Sequence, residues 1–94
     1  MTPLIWAAAY GHYELAEYLV DNKGRTLGKD KFKRTPLIMA VRNGHTKLAS
    51  LLMQRGSEWD HKDSSLNTPL HYAAAYGWLD CIDLLLKSGA EVNA

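Results

Sequence analysis

A single cysteine, Cys81, leaves the chain without an intrachain disulfide or a cysteine-based zinc site. Long apolar runs are lacking too. The longest, Leu4 to Tyr10, falls far short of the roughly 20 residues that a membrane-spanning helix needs. No segment near Met1 has the basic, apolar and small-residue order of a secretory signal. No Asn-x-Ser/Thr acceptor occurs, because Asn67 is followed by Thr68-Pro69. Net charge is nearly nil, at +1 with an isoelectric point near 7.9, which argues against a dedicated nucleic-acid binder. These absences predict an intracellular chain, cytoplasmic or nuclear, with no membrane-inserting segment.

The charge is small but unevenly placed. Glu14, Glu17 and Asp21 make residues 1–22 acidic, whereas Lys23, Arg25, Lys29, Lys31, Lys33 and Arg34 outweigh Asp30 in residues 23–34. Arg42, Lys47 and Arg55 keep the middle basic, and the last part, 57–94, is acidic again. The hydrophobic fraction of 47% and charged fraction of 22% are those of an ordinary soluble protein.

What the chain has in abundance is repetition. Thr68-Pro69-Leu70-His71-Tyr72-Ala73-Ala74-Ala75-Tyr76-Gly77 reads as one short helix with its own start and stop signals. The Thr68 hydroxyl can accept from an unpaired first-turn amide, and Pro69 falls where its missing amide costs nothing. The alanines favour helix and leave room for another helix to come close. Gly77 can take the left-handed conformation that ends a helix. Two more copies, Thr35-Pro36-Leu37 to Gly44 and Thr2-Pro3-Leu4 to Gly11, set a period of 33 residues, which marks a repeat array.

Thr-Pro-Leu-His with alanines, a Gly-His or Gly-Trp pair nine residues after each threonine, then Leu-Leu and Gly-Ala, resembles the ankyrin repeat. The resemblance covers essentially the whole chain. It implies an all-α fold, an α-solenoid of helix-turn-helix units with projecting β-hairpin-like fingers. The chain then reads as a single domain, residues 1–94, with repeats at about 1–29, 30–62 and 63–94. Met1 directly before a helix cap, and the stop at Asn93-Ala94 within a finger, predict a fragment of a longer array. End units without polar caps predict marginal stability and weak end-to-end association of an otherwise monomeric chain.

The first helices of the repeats are expected at Pro3–Tyr10, Pro36–Asn43 and Pro69–Tyr76. The second helices are expected at about Tyr13–Asn22, Thr46–Arg55 and Leu79–Lys87. Their inner stripes would be Leu15, Ala16, Leu19 and Val20; Leu48, Ala49, Leu52 and Met53; and Cys81, Ile82, Leu85 and Leu86. Lys23–Arg34 and Gly56–Asn67 would be fingers, with Asp63 at the family's turn aspartate. Lys33 replaces the usual turn glycine, which predicts an irregular tip.

The resemblance gives His71 a structural hydrogen bond across the turn that ties adjacent repeats, a bond Ile5 and Ile38 cannot make. His12 and His45 would set the loops between helices. The larger Trp78 reads either as packing at a domain end or as an anchor for a fourth repeat. Cys81, among Ile82 and Leu85, reads as a buried small hydrophobe, with Asp80 and Asp83 opposing any thiolate. Leu85 and Glu91-Val92-Asn93-Ala94 match a pattern that an asparaginyl hydroxylase can recognise in ankyrin proteins, which is also the plain structural consensus.

Nothing supports enzyme chemistry or a cofactor. Ser57, Asp60 and His61 have the letters of a hydrolase triad but crowd one finger without a rigid scaffold. The four histidines are spread over three repeats, against a zinc site, and Gly24 and Gly28 lack the rest of a phosphate loop.

The function implied by the resemblance is recognition of a protein or peptide on a concave face formed by first helices and fingers. The alternative is a regulatory or substrate-recruiting segment of a larger enzyme. Four residues after each threonine come Trp6, Met39 and Tyr72, and eight after come Tyr10, Asn43 and Tyr76, with Arg42 between the rows. In the family these point outward, while Leu4, Leu37 and Leu70 point inward. Tryptophan, tyrosine, methionine and arginine are enriched at interface centres. Lys31 and Arg34, in the basic run from Lys29, would meet an acidic partner or simply keep the finger edge solvated.

Overall fold

The helix starts written in the sequence are the ones the chain uses. Thr35 and Thr68 are extended, at φ −87° and −91°. Their hydroxyls accept from the amides of Ile38 and His71 at 3.2 and 3.3 Å. The computed structural model describes residues 3–23, 29–55 and 61–87. Expectations for Thr2, Gly24, Gly28, Ser57, Asp60 and the Glu91–Ala94 ending fall outside those residues. The helices are α1 (Pro3–Tyr10), α2 (Tyr13–Lys23), α3 (Pro36–Arg42), α4 (Thr46–Gln54), α5 (Pro69–Tyr76) and α6 (Leu79–Lys87).

Each first helix ends on a left-handed glycine, Gly11, Gly44 or Gly77, at φ +74°, +77° and +73°. The next residue's amide then turns back onto the helix. His12 donates to Ala7, His45 to Ala40 and Trp78 to Ala73, at 2.9, 2.8 and 2.9 Å. This closing bond satisfies a carbonyl the helix would otherwise leave bare.

α1, α3 and α5 pack side by side as one row, and α2, α4 and α6 as a second. The core lies between the rows, on Ile5, Leu37, Ile38, Val41, Leu48, Leu52 and Leu85. Ala7, Ala40 and Ala73, in the same register, are all fully buried. A methyl there lets neighbouring helices approach closely.

Burial follows the number of neighbours rather than the residue. Leu15, expected inside, is 44% exposed, whereas Leu48 and Cys81 at the same register are 2% and 0% exposed. Leu86 is likewise 40% exposed although Val20, its counterpart, is 4%. Leu4 and Leu37 are buried, and Leu70 only partly so. A stacked unit covers its apolar faces only where another unit lies against it, and among the described residues none lies against Leu15 or Leu86.

The finger turns are built by their aspartates. Asp30 accepts from the amides of Phe32 and Arg34, both at 2.9 Å, and Asp63 from those of Ser65 and Asn67 at 2.9 and 3.0 Å. Such a carboxylate supplies acceptors that a turn otherwise lacks. The amides of Lys33 and Leu66 close the two turns onto the Asp30 and Asp63 carbonyls, both at 3.0 Å. Among the described residues the fingers show this turn and no assigned strand. The Ser64 amide donates to the Phe32 carbonyl at 2.8 Å and ties one turn to the next.

The tip is not irregular. Lys33 takes φ +61°, the conformation a glycine would supply, and Leu66 does the same at +65°. Side chains with a Cβ are strained there by about 1–2 kcal/mol. Lys33→Gly and Leu66→Gly should each raise the unfolding free energy by about 1 kcal/mol, the relief less glycine's greater loss of backbone entropy. Urea titration reads this directly, and an unchanged or lower midpoint would contradict it.

Candidate partner-binding face

The outward rows expected on the first helices are only partly outward. Trp6 is 48% exposed, but Met39, at the same register, is only 4% exposed. The correction has a simple cause: α3 has a neighbour on each side, whereas α1 has one. Tyr72 is partly buried, and its hydroxyl donates to the Asp63 carboxylate in the adjoining finger turn. It is therefore a structural brace as well as a surface ring. Tyr10 and Tyr76 are well exposed, with exposed Asn43 between them. Arg42 is partly buried, and its carbonyl accepts from Trp78 Nε1 at 3.1 Å.

At the first repeat three rings gather. Trp6 lies 4.8 Å from Tyr10 and 5.2 Å from His12 between centroids, the latter nearly parallel at 18°. An open depression beside them is lined by Trp6, Gly11, His12, Tyr13, Glu14 and Leu15.

The basic run is also reshaped. Arg34 Nε donates to Asp30 at 2.7 Å, so this guanidinium braces its own turn. Burial alone would push the Asp30 carboxyl up, but the Arg34 amide and guanidinium and the Phe32 amide hold it below the usual range. Phe32 carries Lys31 Nζ at 5.2 Å and the Arg34 guanidinium at 4.9 Å over its ring. Lys29, Lys31 and Lys33 are exposed and, among the described residues, in no ion pair. Arg34 thus has a carboxylate partner within its own turn, which the three lysines lack among the described residues.

Asp63 behaves as Asp30 does. Burial opposes its charge, yet the Tyr72 hydroxyl, the Asn67 and Ser65 amides and the Arg34 charge keep its carboxyl low. A depressed carboxyl contributes stability above the ordinary carboxylate range and loses it as pH falls through the folded value. The unfolding midpoint should thus be level from about pH 7 to 5 and drop below about pH 4. Asp63→Asn, which keeps the turn acceptor, should flatten that drop in a thermal-melt series. An equal drop in the variant would exclude Asp63 as its source.

The histidine expectations divide. His71 Nδ1 accepts from its own helix-capping Thr68 amide at 2.9 Å, completing a reciprocal cap, and among the described residues it makes no bond to another repeat. Two of the polar ties between repeats come from the residues after the second and third loop glycines. His45 Nε2 donates to the Ala9 carbonyl at 3.2 Å, as Trp78 Nε1 does to Arg42. Trp78 therefore grips the repeat before it. The missed signal was the shared register of His45 and Trp78, both with a ring N–H to give.

Cys81 is buried with Thr46 Oγ1 3.2 Å from its sulfur. Burial pushes the thiol up, Asp80 adds to that, and the Thr46 contact only partly offsets them. Among the described residues no group of three or more histidine, cysteine or acidic side chains could hold a metal ion. Nor is any described helix long and apolar enough to cross a membrane.

The sequence model of the family described as ankyrin repeats (3 copies) matches residues 4–94. Ankyrin repeats are generally protein–protein interaction modules, and domains made of them are typically non-catalytic. A comparison with curated proteins returned no match. With its 33-residue units, glycine-ended first helices and paired helix rows, the chain belongs to the ankyrin repeat family.

Proposed function

We propose that the chain is a recognition module whose partner protein lies along the first helices and the finger turns. The observation that carries this reading is the trio Trp6, Tyr10 and Tyr76, about half exposed or more on the first-helix row. Scattered small apolar groups at a surface need no explanation, but large aromatics aligned on one face do. Aromatic rings offer contact area at low entropic cost, which suits them to interface centres. Lys29, Lys31 and Lys33 border that row on the first described finger turn and favour a partner bearing carboxylates at this edge.

The test is salt dependence. Association of the captured partner should slow steeply with added salt, and Lys29, Lys31 and Lys33 changed together to Gln should reproduce that loss at low salt. Arg34 is left in place because it holds its turn. Salt-independent association of the native chain would remove the lysines from the interface.

A further inference from the structure

Two residues hold a backbone conformation that their side chains make costly, and they stand at the same place in successive finger turns. Lys33 and Leu66, one repeat apart, sit at φ +61° and +65°, where a glycine would be unstrained. The turns draw only on their backbones. Their amides close on the Asp30 and Asp63 carbonyls, and the Lys33 carbonyl accepts from His61 Nε2 at 3.0 Å. Leu66 is 70% exposed, and Lys33 is exposed and, among the described residues, in no ion pair. Each turn has the other beside it, joined by the Ser64 amide on the Phe32 carbonyl, and still neither side chain is covered. Strain kept where it gives the fold nothing marks a side chain held for a contact outside the chain.

The surface around this pair runs from charged to apolar. The first turn exposes Lys29, Lys31 and Lys33. The carboxylates of the two turns do little to offset them, because Asp30 is paired with Arg34 and Asp63 is only 5% exposed, under the Tyr72 hydroxyl. Beyond Lys62 the second turn exposes Ser64, Ser65 and Leu66, none of them charged. Phe32 lies at the boundary, 47% exposed, with Lys31 Nζ 5.2 Å from its ring centre. Neither Phe32 nor Leu66 joins the hydrophobic core.

Resting on the recognition reading above, we propose that the two finger turns dock a short acidic segment of the partner, unphosphorylated and carrying one apolar side chain. Its carboxylates meet Lys29, Lys31 and Lys33, and the apolar side chain packs on Phe32 and Leu66. Charge complementarity selects this occupant. Three separate ammonium groups on flexible stems suit several carboxylates spread along a peptide. A phosphate would call for a two-pronged guanidinium, and the one guanidinium in the turn has its Nε on Asp30. The apolar pair supplies the discrimination. Coulomb attraction draws in any acidic segment, whereas the Leu66 contact rewards only one with an apolar side chain beside its acids.

Selection from a displayed library of random twelve-residue peptides on the native chain tests this. Enriched peptides should carry at least two acidic residues within a few positions of a leucine, isoleucine or phenylalanine. The best of them, made synthetically, should lose about tenfold in affinity on Lys33→Gly and on Leu66→Gly, although both changes raise the unfolding midpoint by relieving strain. Leu66→Ala, which keeps the strain and removes the side chain, should weaken the peptide as much as Leu66→Gly does, and Leu66→Met should bind like the native chain. A merely structural side chain would not lose binding while gaining stability. No enrichment, enriched peptides without that pairing, or a peptide held equally by both glycine variants would overturn the proposal. A peptide indifferent to the glycine changes but lost when Tyr10 and Tyr76 are changed to Ala would overturn it and leave the first-helix reading in place.

Discussion

Met39→Ala is expected to cost about 2–5 kcal/mol of unfolding free energy, and Trp6→Ala at the same register about 1 kcal/mol or less. Met39 is closed off in the middle of the first-helix row, so truncation leaves a cavity its packed surroundings only partly fill. Trp6 loses only ring contacts with Tyr10 and His12 on an open face. Urea unfolding of the two variants decides between core and surface. A nearly neutral Met39→Ala would return that side chain to the candidate interface.

The second large effect is on binding. Trp6, Tyr10 and Tyr76 changed together to Ala should weaken partner binding by at least about 3 kcal/mol, more than a hundredfold, if they act as interface anchors. The melting midpoint should move little, since Tyr10 and Tyr76 are more exposed than buried. Tyr72→Ala is a poorer probe than its register suggests. It removes the hydroxyl that holds Asp63, so loss of binding there would be mixed with loss of the finger turn.

Much of the fold was legible because its signals are local and repeated. Proline at the first helical position and glycine past the last fix α1 and α5 to the residue, and α3 to within one residue. Burial at the ends was not legible. Leu15 and Leu48 have the same neighbours in sequence pattern, and only the presence of a preceding repeat separates them. The same holds for Trp6 and Met39, which no periodicity can distinguish. The Asp30–Arg34 brace in the basic finger was missed for a different reason. Asp30 stands at the register of Asp63, so its role as turn aspartate, and with it the capture of Arg34, was written in the sequence but masked by four surrounding lysines and arginines. Tyr72 and Asp63 show the reverse case: nine residues apart, they meet only because the finger turn folds back beside α5.

In the proposed function, partners meet the first helices and finger turns rather than the second-helix row. Site-specific photo-crosslinking tests it most directly, with the reactive group placed in turn at Tyr10, Tyr76, Gln54 and Asp83, all exposed. Proteins captured from a native extract should form adducts through positions 10 and 76 and not through 54 or 83. The same captured protein crosslinking through 54 or 83, and not through 10 or 76, would place the binding face on the opposite row.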